Sequence, residues 1–112
     1  GRGISVANLH LSLGRDDQAT QLSAVGEHLP RKRPFLVVGD FNCTNSSTHL
    51  EAFAEANKAQ IANHPQIPTF PSWRPQRDLD HIVYSDRVSL ERRRSHPLQL
   101  SDHLPVSAEI HF

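Results

Sequence analysis

Asp40 and Asn42 stand two residues apart in Gly39-Asp40-Phe41-Asn42, directly after the apolar run Phe35-Leu36-Val37-Val38. In extended backbone, residues two apart point the same way, so a carboxylate and an amide are expected to converge while Phe41 turns back towards apolar neighbours. A carboxylate suits a hard divalent cation or the acceptance of a proton, and an amide N–H can hold a phosphoryl oxygen as negative charge develops on it. Asp102 and His103 are adjacent in Ser101-Asp102-His103-Leu104-Pro105-Val106, which sets a potential metal ligand beside a potential general acid or base. Asp80 opens Leu79-Asp80-His81-Ile82-Val83-Tyr84. From there it can pair with a histidine across the strand ends, fixing the imidazole's tautomer and raising its pKa.

These residues need strands and turns to carry them. The run at Phe35–Val38, bounded by Pro34 and Gly39, reads as a strand covered on both faces. Val106, Ala108, Ile110 and Phe112 alternate with Ser107, Glu109 and His111, the pattern of a half-buried strand, and Asp102 and His103 lie in the turn before it. A first strand begins near Ile4. Ala19, Leu22, Val25 and Leu29 recur at helical spacing before Pro30, with Asp16 and Asp17 as a cap. Thr48 and Glu51 form a capping box for a second helix, whose stripe Leu50, Phe53 and Ala54 fades near Lys58. Pro65, Pro68, Pro71 and Pro75 favour an extended, irregular loop over 61–76. The order strand, helix, strand, helix, then three short strands is an α/β layer arrangement.

Taken in order, Asn8-Leu9-His10-Leu11, Gly39-Asp40-Phe41-Asn42, Thr69-Phe70-Pro71-Ser72-Trp73 with Leu79-Asp80-His81-Ile82, and Ser101-Asp102-His103-Leu104-Pro105 resemble the endonuclease/exonuclease/phosphatase superfamily over nearly the whole chain. The resemblance implies that His10 contacts the scissile phosphate, Asp40 orients or deprotonates the attacking water, and Asn42 polarises the phosphate. It further implies Asp102 as a metal ligand, His103 as the catalytic histidine and Asp80 as its orienting partner. Asn8 would help hold substrate. The implied reaction is in-line attack of water on a phosphoester with magnesium, or manganese, as Lewis acid. The substrate is left open among nucleic acid, a phospholipid headgroup and a small phosphate ester.

The family's remaining metal ligands, an asparagine on its first strand and a glutamate on an early helix, belong to an N-terminal half. Residues 1–112, which contain no methionine, are therefore expected to be the C-terminal portion of such a domain. That portion is half of a four-layer α/β sandwich, one mixed β-sheet with two helices on its outer face. An inner sheet face including Val37, Val106 and Ile110 would then be covered by a second copy of the chain or by the other half. The alternative function is a catalytically silent domain that binds phosphate groups or a protein partner.

Composition narrows the partners. Formal net charge is zero, from 12 basic and 12 acidic residues, so attraction to nucleic acid is not built into the overall charge. Arg74 and Arg77 can touch phosphates, and Trp73 can stack on a base or pack on a lipid headgroup. Arg92-Arg93-Arg94 reads as a solvated turn between two strands. The spacings of the eight histidines give no close helical pair for zinc, and His28, His49, His64 and His96 look like surface residues. Cys43 reads as a small hydrophobe, and a lone cysteine suits a reducing compartment, favouring the cytoplasm without requiring it. The sequons at Asn42 and Asn45 are set aside, since a glycan there would obstruct the site. No stretch approaches the roughly 20 apolar residues of a membrane helix.

Overall fold

The computed structural model describes residues 2–62 and 65–112; His64 lies outside them. Strand β1 (Ser5–His10), helix α1 (Arg15–His28) and strand β2 (Phe35–Asp40) form a parallel β-α-β unit. Helix α2 (Thr48–Ala56) leads to the short strand β3 (Ala59–Ile61), and a loop then returns the chain to β4 (Asp80–Ser85). Strand β4 inserts antiparallel between β2 and β3, giving a four-stranded mixed sheet of order β1-β2-β4-β3. Strands β5 (Ser89–Ser95) and β6 (Val106–His111) pair antiparallel as a separate two-stranded sheet. The mixed sheet with two helices matches the expectation. The hairpin apart from it, and the division of the chain after α2 into four strands rather than three, do not.

The core lies between one face of the mixed sheet and the helices. Phe35 and Val37 of β2 and Val83 of β4 pack with Leu22 of α1 and with Leu50, Phe53 and Ala54 of α2, closed at the strand end by Phe41. Val37 is fully buried there, which corrects its expected place on an uncovered face. Strand alternation sends Leu36, Val38 and Asp40 to the opposite face, where Val6 of β1 is 56% exposed. On the hairpin, Val106 and Ile110 are half-buried.

Both helices begin earlier than their acidic residues suggest. Gly14 and Ser47 occupy the cap positions, without side-chain capping bonds. Asp16 and Asp17 instead fall in the first turn of α1, where a carboxylate favours the positive end of the helix dipole. Arg92-Arg93-Arg94 is part of β5 rather than a turn. Arg92 adopts positive φ where the register shifts between Glu91 and Arg94, and it pairs with Glu109 of the neighbouring strand. Arg93 donates to the Pro65 carbonyl. A bulge with local partners thus hides this strand from an apolar-periodicity reading.

Gly39 fixes how closely β1 and β2 approach. Its φ is 132°, and a Cβ there would lie 2.0 Å from the Leu9 carbonyl oxygen and 3.0 Å from Asn8 Oδ1. Substitution Gly39→Ala is expected to destabilise the fold by roughly 1–3 kcal/mol from backbone conformation alone, and further through the clash. In urea denaturation, Gly3→Ala serves as the control because a Cβ there meets nothing within 4 Å. Equal midpoints for the two variants would contradict this account of the β1–β2 contact.

Candidate active site

The sheet register builds the site as a row. His10 is the partner of Asp40 across β1–β2, and Asp40 is the partner of Asp80 across β2–β4. Three strands thus present one histidine and two carboxylates side by side on the face away from the helices. Two carboxylates directly opposite each other repel, by about 3 kcal/mol for charges about 5 Å apart at an effective dielectric of about 20.

His103 sits where it offsets that repulsion. Its Nδ1–H donates to Asp80 Oδ2 at 2.7 Å, and its Nε2 lies 3.3 Å from Asp40 Oδ2. The same Asp40 oxygen is 3.4 Å from His10 Nε2. Burial works against charging His103, but the Asp80 hydrogen bond and the charges of Asp80, Asp40 and Asp102 outweigh it and raise its pKa above the ordinary 6.5. Because the folded-state pKa is the higher one, the stabilisation that His103 gives is fully present below the unfolded value. It is lost as pH rises through the folded value.

The loop around His103 is anchored to the proline-rich segment. The Ser72 N–H donates to the Asp102 carbonyl at 2.8 Å, the Leu104 N–H to the Thr69 carbonyl at 2.9 Å, and the Ser72 hydroxyl to the Ser101 carbonyl at 2.6 Å. Thr69 Oγ1 donates to Asp80 Oδ2 at 2.5 Å, and the Phe70 ring packs on the His103 ring at 4.9 Å between centroids. Thr69, Phe70 and Ser72 therefore hold the Asp80–His103 pair. Their motif was visible in the sequence, but nothing in it distinguished these side chains from loop structure.

Asn42 departs from the expected alternation. Strand β2 ends at Asp40, and Asn42 takes a left-handed conformation with φ 49°. Its N–H donates to Asp40 Oδ1 at 2.9 Å, and its side-chain Nδ2 donates to the Leu11 carbonyl at 2.6 Å. The amide thus clips two strand ends together while still lining the cleft. That cleft, about 720 Å³, is also lined by Asn8, His10, Asp40, Asp80, Asp102 and His103. Trp73, Arg74 and Arg77 do not line it; they are exposed on the turn beyond Phe70.

Two other histidines are structural. His81 is buried, donates from Nε2 to the Cys43 carbonyl at 2.6 Å and packs on Phe41; burial holds its pKa below the ordinary value. His49, expected at the surface, is half-buried between the helices and donates to Gln18. Burial and then the Arg15 charge lower its pKa. Cys43 is buried, and burial pushes its thiol pKa up, as suits a small hydrophobe.

Oxygen donors dominate the cleft, a set that suits a hard divalent cation. One ligand atom each from Asp40, Asp80 and His103 lie within 4.8 Å of one another. These three already satisfy one another in part, whereas the exposed Asp102 carboxylate on the cleft wall has no hydrogen-bond or ion-pair partner among the described residues.

A mixed sheet with two helices on one face and an Asp/Asp/His cluster at its strand ends defines a class, and the sequence falls in it. Residues 4–103 match the Endonuclease/Exonuclease/phosphatase family, and the chain belongs to that family. The uncharacterized protein YbhP of Escherichia coli K12 is 35% identical over 122 aligned positions, taking in all of this chain and 48% of YbhP. The chain thus spans about half the length of the curated relatives it matches. Among solved structures, the mannosyl-6-phosphatase of Bacteroides thetaiotaomicron is similar with a TM-score of 0.78 and 20% identity, over 94% of this chain and 50% of that one. The human Nocturnin catalytic domain is similar at 0.69 and 23% identity, over 97% and 46%. Both likenesses show the fold.

The His103 geometry has a direct spectroscopic consequence. In an NMR pH titration, His103 is expected to titrate above 6.5 and His81 below it, and Asp80→Asn is expected to move the His103 midpoint down. A His103 midpoint unchanged by Asp80→Asn would contradict the pairing.

Proposed function

We propose that this chain carries the acid–base half of a metal-dependent phosphoester hydrolase. The observation that carries the reading is the convergence of Asp40, Asp80 and His103 on the cleft, with His103 held between the two carboxylates. Asp40 Oδ1 is occupied by the Asn42 N–H, whereas Oδ2, with His103 Nε2 at 3.3 Å and His10 Nε2 at 3.4 Å, faces the cleft, where it can orient a water and accept its proton. His103, charged below its raised pKa and aimed by Asp80, presents positive charge to the phosphoryl group. His10, whose side chain is 75% exposed, can follow the phosphate. One N–H of the Asn42 amide remains for a phosphoryl oxygen. Asn8 lines the same wall, and Trp73, Arg74 and Arg77 contact the parts of a substrate that extend past Phe70.

Asp102 and the neighbouring carboxylates would hold magnesium or manganese, which supplies Lewis-acid stabilisation of phosphoryl charge when bound. Substrate class stays among nucleic acid, phospholipid headgroup and small phosphate ester. The open sheet face is covered in this reading by a second copy of the chain or by the further length its relatives have. The four-layer sandwich and the assignment of residues 1–112 as one portion of such a domain belong to the same proposal. Among the described residues no helix is long and apolar enough to cross a membrane. The buried free thiol of Cys43 fits a reducing compartment such as the cytoplasm. A second reading is a phosphate- or partner-binding domain without turnover, consistent with Asp40, Asp80 and His103 already satisfying one another in part.

The test is hydrolysis of an activated p-nitrophenyl phosphodiester with magnesium or manganese. Asp40→Asn is expected to lower kcat/KM by about 100-fold or more, the size of a general-base contribution, and Asp102→Asn to raise the metal concentration needed for half-maximal rate. Turnover that persists in Asp40→Asn would refute the proposed role of Asp40. No turnover by the folded wild-type chain would favour the binding reading.

A further inference from the structure

His10 and Asp40 end strands β1 and β2, and one buried side chain joins the loops that follow them. We propose that Gln18, aimed by His49, is a positioning residue that sets His10 and Asp40 relative to each other. Gln18 is 2% exposed, inside α1 near its start. Its Nε2 donates to the Ser12 carbonyl at 2.8 Å and to the Asn42 carbonyl at 3.1 Å, with a longer contact to the Leu13 carbonyl at 3.3 Å. Ser12 and Leu13 follow His10 in the first loop, and Asn42 follows Asp40 in the second. A single amide group therefore spans both.

The amide must face the right way to do this, because only its nitrogen carries donors. His49 of α2 sets that orientation by donating from Nε2 to Gln18 Oε1 at 2.6 Å. His49 Nδ1 is buried without a hydrogen-bond partner, so the bond to Gln18 is the polar interaction for which the ring is oriented. Gln21, one turn further along α1, exchanges two bonds with Ser12, at 2.9 and 2.8 Å, and holds the first loop alone. Gln18 is thus distinguished by reaching Asn42 as well, whose amide in turn clips Leu11. The Leu11 N–H donates to the Asp40 carbonyl at 2.9 Å and reports on whether the two strand ends stay joined.

The proposal rests on the reading of the cleft as a phosphoester hydrolase, and two readouts keep the claims separable. Gln18→Met preserves length and removes the donors. It is expected to speed hydrogen exchange at the Leu11 amide about tenfold and to lower kcat for the phosphodiester about tenfold or more through misplacement, with KM nearly unchanged. Leu22→Ala, also buried in α1, is the control for mere destabilisation and is expected to lower Tm while leaving both readouts near wild type. Equal Leu11 exchange and equal kcat in the two variants would overturn the proposal. If the wild-type chain shows no turnover, the hydrolase reading fails and the exchange comparison alone decides the role of Gln18. If Gln18→Met does not fold, His49→Leu, which leaves the amide unaimed, is expected to show the same pattern and decides it instead.

Discussion

Two carboxylates on adjacent strands, directly opposite on the same face, are an arrangement a sheet does not adopt without compensation. Asp40 and Asp80 are such a pair, and the imidazole of His103 is what reconciles them. It hydrogen-bonds one and lies against the other, so that the ring, when protonated, neutralises the centre of the row. Much of the surrounding structure serves to deliver that ring. The proline-rich segment and the loop before β6 exchange backbone and hydroxyl bonds at Ser72, Thr69 and Leu104. Thr69 and Phe70 then hold the carboxylate and the ring from two sides. A site assembled this way is both electrostatically costly and geometrically defined, the combination expected where pKa values are tuned for proton transfer.

The same constraint explains the division of labour between the sheet's faces. The helix side carries Phe35, Val37 and Val83, and the stability of the unit rests there. The opposite side carries His10, Asp40 and Asp80 at one end and the half-exposed Val6 further along β1. Gly39 permits β1 and β2 to approach at the level where the two faces meet. His81 ties the loop after Asp40 to β4 from beneath. Scaffold and site therefore share strands while using alternate residues of them.

Much of this was legible in the sequence because short motifs fall at strand ends. Asp40, Asp80 and His103 could be placed by the apolar runs beside them, and residue chemistry allowed Asp80 a histidine partner; His10, and the choice of His103 as that partner, came from the family resemblance. The orientation of Asn42 was not legible: alternation holds only within a strand, and the strand stops at Asp40. Strand β5 was hidden because Leu90 is its only apolar residue and a bulge at Arg92 breaks its period. Thr69 and Phe70 stood inside a recognised motif, yet their contacts to Asp80 and His103 depend on how two distant loops meet. Gln18 and His49 were beyond reach for a related reason. A polar residue on an amphipathic helix reads as solvated until the fold turns it inward.

Asp80 holds His103 with its Nδ1 proton in place and its Nε2 towards Asp40. Proton-detected nitrogen NMR of the His103 imidazole tests this arrangement most directly, at a pH above the ring's midpoint where one proton remains. The expected result is an Nδ1-protonated tautomer with a downfield, slowly exchanging Nδ1 proton that disappears in Asp80→Asn. An Nε2-protonated ring, or one averaging between tautomers as in free imidazole, would contradict it.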